Sequence, residues 1–204
     1  MVGRLLATVA KIVSGARAHW VQPPTDARQR LYFANHSSHL DFVVIWSALT
    51  PALRARTRPV AGADYWLRGP VRRYLARKVF RAILVDRAGA AASPATAARS
   101  IEQIAEGMGT DQSIIVFPEG TRSHDGDVKP FKSGIYHLCR MKPHLELVPV
   151  YLANMNRILP KGEVLPVPLL GRVIFGAPLR LEPGEEKAAF LTRARAAMLA
   201  LREQ

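Results

Sequence analysis

Leu31-Tyr32-Phe33-Ala34-Asn35-His36-Ser37-Ser38-His39-Leu40-Asp41-Phe42-Val43-Val44-Ile45-Trp46 is the stretch on which the reading of this chain turns. Its first four residues are short, apolar and aromatic-rich, as in a buried strand, and Phe42–Trp46 reads as the front of a helix. A histidine therefore lies at a strand-to-helix turn with a carboxylate five residues on. A neutral imidazole takes a proton from an alcohol near pH 7, and a carboxylate on its far nitrogen fixes the tautomer. Five residues do not share one face of a helix, since 3.6 residues per turn sets them about 140° apart. The pair meets only if His36 precedes the helix and Asp41 points back from its first turn. Ser38-x-x-Asp41 also has the form of a capping box, in which Asp41 holds the helix terminus. His39 is a rival imidazole, but inside the helix start it and Asp41 point apart.

Outward from this turn, the chain alternates apolar runs with amphipathic ones. Ala82–Arg87 and Ser113–Phe117 read as buried strands, Leu147–Leu152 as another and Arg172–Gly176 as a last one. Helices are expected over Val71–Arg81 behind Pro70, over Ser93–Ala105 behind Pro94, from Gly134 to Met141, and over Glu185–Arg202. Such β-branched runs between helices argue for a single α/β domain with a mostly parallel central sheet flanked by helices. Pro149 within its strand points to an edge position or a bulge. Ligands gather where parallel strands end. His36, Arg87 and Arg122 all follow strands, so one cleft can collect all three. In the turn Phe117–Ser123, Gly120 permits an anion nest and Arg122 adds a planar fork for phosphate. Glu119 there needs a donor, and either ties the loop or orients a substrate hydroxyl.

Residues 1–20 form a separate unit in this reading, an amphipathic basic N-terminal helix ahead of a domain over 28–204. Val2, Leu5, Leu6, Val9, Ile12, Val13 and Ala16 share a stripe, with Arg4, Lys11, Ser14 and Arg17 off it. The helix lies in a membrane interface or packs on its own sheet. It is too short and polar to span a bilayer, and no other run is long enough. Leu159–Pro168 is a Pro-rich loop.

The 204 residues carry a formal net charge of +13 and a pI near 10.7, which calls for an anionic partner. Residues 51–90 hold ten Arg and Lys against Asp64 and Asp86, whereas the tail from Leu181 is balanced. Arg73, Arg77 and Arg81 recur at helical i+4 spacing, where like charges repel unless phosphates or carboxylates meet them. The lone Cys139 excludes an internal disulfide and reads as a small core residue. No metal-ligand spacing occurs.

Four blocks together resemble the glycerolipid acyltransferase family that includes the 1-acyl-glycerol-3-phosphate and lysophospholipid acyltransferases. Asn35–Asp41 is similar to its N-H-x-S-x-x-D block and Ile83–Arg87 to its hydrophobic-D-R block. Phe117–Ser123 is identical to F-P-E-G-T-R-S, and Leu147–Tyr151 is similar to its V-P-V block. They span about 120 residues in the family's order. The resemblance implies transfer of an acyl group from acyl-CoA or acyl carrier protein to the hydroxyl of a lysophospholipid, foremost 1-acyl-sn-glycerol-3-phosphate. His36 would be the base and Asp41 its orienter. Arg87, Glu119, Gly120, Thr121 and Arg122 would hold the acceptor, and Pro149 would line the acyl chain. No metal, no other cofactor and no covalent acyl-enzyme is implied. Backbone N–H groups at the start of the Ser38 helix are candidate oxyanion donors.

The expected partners are the lysophospholipid, the acyl donor and an anionic membrane surface, at the cytoplasmic face of a membrane and bound peripherally. Other lysolipid or phosphate-free acceptors are alternatives, as is an inactive membrane-binding relative. A nucleic-acid partner would explain the charge but not the four blocks. Charge reversal at Arg73 and Arg77 is expected to weaken binding to anionic liposomes or raise the apparent KM for the donor. Unchanged values of both would remove the anionic-partner reading of that helix.

Overall fold

The computed structural model describes residues 2–14, 17–24, 26, 28–38, 41–86, 93–123, 127–153 and 171–204. Its helices are α1 (Val2–Ser14), α2 (Asp41–Ala48), α3 (Pro51–Ala55), α4 (Ala63–Trp66), α5 (Pro70–Tyr74), α6 (Pro94–Met108), α7 (Gly134–Met141) and α8 (Lys187–Leu199). The strands are β1 (Arg17–Trp20), β2 (Arg30–Ala34), β3 (Thr57–Gly62), β4 (Ile83–Val85), β5 (Ser113–Val116), β6 (Glu146–Ala153) and β7 (Arg172–Phe175). His39, Arg87 and the Leu159–Pro168 segment lie outside the described residues.

The strands form one seven-stranded sheet in the order β1-β7-β6-β2-β5-β3-β4. Every neighbouring pair is parallel except β6 with β7. β2 sits in the middle, with Leu31 opposite Ile114 on one side and Leu147 on the other. Its side chains alternate between two cores. Leu31 and Phe33 join Met108, Leu138, Phe190 and Met198 on the α6–α7–α8 side. Tyr32 and Ala34 join Phe42, Ile45, Trp46 and Phe80 on the α2 side. Burial on both faces is why β2 is continuously apolar rather than alternating.

Two expectations are corrected. The first helix ends at Ser14, and Arg17–Trp20 instead forms edge strand β1, parallel to β7. Trp20 stacks on Phe175 at 3.9 Å and 6° and meets Tyr32 edge-on. Burying that indole face draws an otherwise polar segment into the sheet. α1 also packs on the domain, through its small residues. A Cβ on Gly3 would lie 3.6 Å from Trp46, and Ala7 is fully buried. Val2, Leu5 and Val9 still face outward, with Leu5 67% exposed.

The second correction concerns the helix after Pro70. It runs as α only to Tyr74 and continues as a π-turn over Leu75–Val79, where Phe80 N–H donates to the Leu75 carbonyl at 2.9 Å. The wider turn shifts the periodicity, so Leu75, Ala76 and Val79 face the core while Val71 and Tyr74 are exposed.

Pro149 lies on an interior strand at a bulge. Between the Leu147–Leu179 bridge and the Val150–Phe175 pair, the chain facing β6 carries one residue more than β6 does. Pro149 needs to give only its carbonyl there, to Gly176 N–H at 2.8 Å.

At the opposite end of β2, a buried charge cluster fixes the sheet. Glu146 accepts from Arg28 at 2.6 Å and Arg180 at 2.9 Å, and pairs with the buried Arg30 at 3.3 Å. Burial alone would raise the Glu146 carboxyl, but these three guanidinium groups outweigh it and hold it below its ordinary value. A depressed folded value means that its stabilisation is full above the ordinary carboxylate range and is lost as pH falls through the lowered value. Glu146→Gln is expected to cost about 3 kcal/mol at neutral pH, because it leaves Arg30 underpaired. It should also flatten the acid limb of a stability-versus-pH curve measured by urea unfolding. An unchanged acid limb would show that other carboxylates dominate it.

Candidate active site

The carboxyl ends of β2, β5, β3 and β4 open onto a cleft of about 510 Å³. Its depth is apolar, with Val85, Ile101, Ile104, Val116 and Leu138, and its mouth carries His36, Arg68, Arg122 and Lys132. In a parallel sheet the strand ends and the loops that follow them converge here, which places these distant residues together.

His36 leaves β2 just beyond Asn35, whose side-chain amide stands in for the next rung of the sheet. Asn35 Nδ2 donates to the Leu152 carbonyl at 3.1 Å, and Leu152 N–H donates to Oδ1 at 2.8 Å. The main chain is thereby free to turn toward the β5 loop. There His36 N–H donates to Glu119 Oε1 at 2.8 Å, and Ser123 N–H donates to the His36 carbonyl at 2.7 Å. The imidazole stacks on Phe117 at 4.1 Å and 19°. Its Nδ1 lies 2.9 Å from Asp41 Oδ2; a carboxylate there favours the tautomer in which Nδ1 donates and Nε2 of the neutral ring accepts.

Asp41 opens α2 and is fully buried. The same Oδ2 also accepts the N–H groups of Ser37 at 2.6 Å and Ser38 at 2.7 Å. The capping contact and the imidazole contact therefore share one oxygen, and the two readings of Ser38-x-x-Asp41 coexist. The N–H groups of Ser37 and Ser38 are taken in this way and are not turned toward a substrate. Those of His39 and Leu40 lie outside the described residues. An imidazole so held can accept a proton from a hydroxyl at Nε2 and return it to a leaving group.

Glu119 is buried and spends both oxygens on backbone: Oε1 on His36 N–H and Oε2 on Lys129 N–H at 2.9 Å. Of the two uses open to it, this geometry is that of a loop tie. Burial pushes its carboxyl up against the pull of those two N–H donors. Gly120 has φ +73°, and a Cβ there would meet Lys132 Cε at 2.7 Å. Its N–H donates to the Phe117 carbonyl at 3.0 Å, inside the turn. Arg122 is half-buried and lines the cleft beside Lys132. Thr121 is exposed. Pro149 is buried in β6 and is not among the residues that line the cleft. Among the described residues no three His, Cys, Asp or Glu side chains gather as a metal site requires.

Arg68, Tyr65, Asp64 and Lys132 were not anticipated as lining residues. Pro130–Gly134 signalled only a helix entrance, and α4 carries no motif. The only pointer was the excess of cations over residues 51–90.

A family model described as Acyltransferase matches residues 20–153. The 1-acyl-sn-glycerol-3-phosphate acyltransferase of Limnanthes douglasii is 32% identical over 150 residues, covering 70% of this chain and 48% of that protein. The mouse 1-acyl-sn-glycerol-3-phosphate acyltransferase alpha is 30% identical over 166 residues, covering 78% of this chain and 53% of its own. The chain spans about half the length of these curated relatives. The crystal structure of the 1-acyl-sn-glycerophosphate (LPA) acyltransferase PlsC from Thermotoga maritima shares the fold. Its TM-score is 0.70 at 18% identity, over 98% of this chain and 79% of that one.

Glu119→Ala should leave the N–H groups of His36 and Lys129 without their acceptor and destabilise the fold by about 1–3 kcal/mol. Urea unfolding measures this, and wild-type stability would show that the tie carries no load.

Proposed function

The chain belongs to the acyltransferase family, and from that premise we propose that it transfers an acyl group from acyl-CoA or acyl carrier protein to a lysophospholipid, foremost 1-acyl-sn-glycerol-3-phosphate. The observation that carries the reading is the His36–Asp41 contact at the mouth of a cleft with an apolar depth and a cationic rim. The acceptor hydroxyl gives its proton to His36 Nε2 as its oxygen attacks the thioester carbonyl. The C–O bond forms, the C–S bond breaks, and the imidazolium returns the proton to the leaving thiolate. The thioester is already activated, so positioning and this one relay suffice, with no metal and no acyl-enzyme.

Arg122 and Lys132 hold the acceptor's phosphate, and Glu119 and Gly120 set the loop that presents them. The acyl chain lies along Val85, Ile101, Ile104 and Leu138 rather than Pro149. Among the described residues no helix is long and apolar enough to cross a membrane. Val2, Leu5 and Val9 on α1 form an outward apolar row, and Val79 of the neighbouring π-turn comes within 3.8 Å of a Cβ placed on Gly3. Arg73, Arg77 and Lys78 are exposed on the segment that leads to Val79, and with this row they suit peripheral binding to anionic lipid.

Purified protein should acylate lysophosphatidic acid within a panel of lysolipids, tested with both donors. His36→Ala should lower the rate by about a hundred- to ten-thousand-fold. Transfer confined to another lysolipid would replace the acceptor and keep the mechanism. Unimpaired transfer by the variant would remove His36 as the base.

A further inference from the structure

Two anionic substrates meet in the proposed reaction, and cations occupy two walls of the cleft. The sheet order β2-β5-β3 sets three features along one edge: His36, then the Phe117–Ser123 loop, then α4 and the turn to α5. Neighbouring strands lie about 4.8 Å apart, so the Arg122 loop starts one strand from His36 and α4 starts about 10 Å away.

The substrates differ in reach in the same way. In the acceptor, about four bonds, or about 5 Å, separate the reacting hydroxyl from the phosphorus. In the donor, about thirteen bonds of pantetheine, or about 15 Å extended, separate the thioester sulfur from the first phosphate. The near wall therefore suits the acceptor, and the far wall suits the donor.

The far wall is built for an anion. Gly69, with φ +82°, turns the chain from α4 into α5. Arg73 Nη2 donates to the Leu67 carbonyl at 3.4 Å across this turn. Arg68 lines the cleft, and the Arg72 guanidinium lies over the ring of Tyr65, itself a lining residue, at 4.4 Å. That contact restrains the exposed Arg72 side chain next to Tyr65, within reach of the cleft mouth. Among the described residues Asp64 is the one carboxylate on the lining, and Arg68 on the lining with Arg72 just off it outnumber it.

We propose, on the acyltransferase reading above, that Arg68 and Arg72 bind the phosphate that ends the donor's phosphopantetheine arm. Acyl-CoA and acyl carrier protein share that phosphate, and S-acyl pantetheine lacks it. The experiment compares kcat/KM for a long-chain acyl-CoA, the matching acyl carrier protein and the matching S-acyl pantetheine, in detergent, for wild type, R68A/R72A and R68E. The preference for a phosphorylated donor over S-acyl pantetheine should fall at least tenfold in R68A/R72A and further per residue in R68E, while KM for the lysolipid stays within twofold. A fall with either phosphorylated donor supports the proposal, and the donor showing the larger fall is the source of the phosphate. An unchanged preference overturns it, and so does a loss confined to liposome binding, which would give this wall to the membrane. If wild type transfers from no donor to any lysolipid, the acyltransferase reading itself fails and this inference fails with it.

Discussion

A carboxylate with no exposed surface survives folding only if donors converge on it, and Asp41 is such a group. Three N–H donors meet one of its oxygens, two from the backbone of Ser37 and Ser38 and one from His36. Gathering those donors on Oδ2 draws the chain after β2 into a tight turn at the start of α2 and orients the imidazole. The turn in turn needs Asn35 to occupy the sheet edge it vacates and Glu119 to receive the N–H it exposes. The site is thus the geometry that gathers three donors on one oxygen of a fully buried carboxylate, whose second oxygen, Oδ1, has no partner among the described residues.

The cleft follows from sheet order. Because β5 separates β2 from β3, the loop carrying Arg122 stands between the imidazole and α4. Helices α6 and α7 supply the apolar depth through Ile101, Ile104 and Leu138. A polar reacting edge above an apolar interior is the arrangement that an amphiphile requires.

Much of this was legible in the sequence, for identifiable reasons. The runs Leu31–Ala34 and Ser113–Val116 announced parallel strands because burial on both faces erases alternation. Asp41 and Ser38 announced a helix start because capping is local in the chain. β1 was hidden because four residues, Arg17–Trp20, owe their strand form to one stacked indole rather than to any pattern of their own. The π-turn was hidden because a periodicity argument assumes 3.6 residues per turn throughout. The double duty of Glu119 and the lining roles of Arg68, Tyr65 and Lys132 depend on which strand ends lie side by side. That is a property of topology, which spacing along the chain does not encode.

The central place of β2 also has a consequence in time. Arg30–Ala34 leaves the ribosome about eighty residues before Ser113–Val116 and more than a hundred before Glu146–Ala153, its two partners. Until then Leu31, Tyr32 and Phe33 form an unpaired apolar strand with both edges bare, the kind of segment that invites aggregation. Non-local parallel pairing of this sort closes slowly. The strand that carries the imidazole is therefore made well before either of its partners, and a nascent chain stalled before Glu146 has no completed centre.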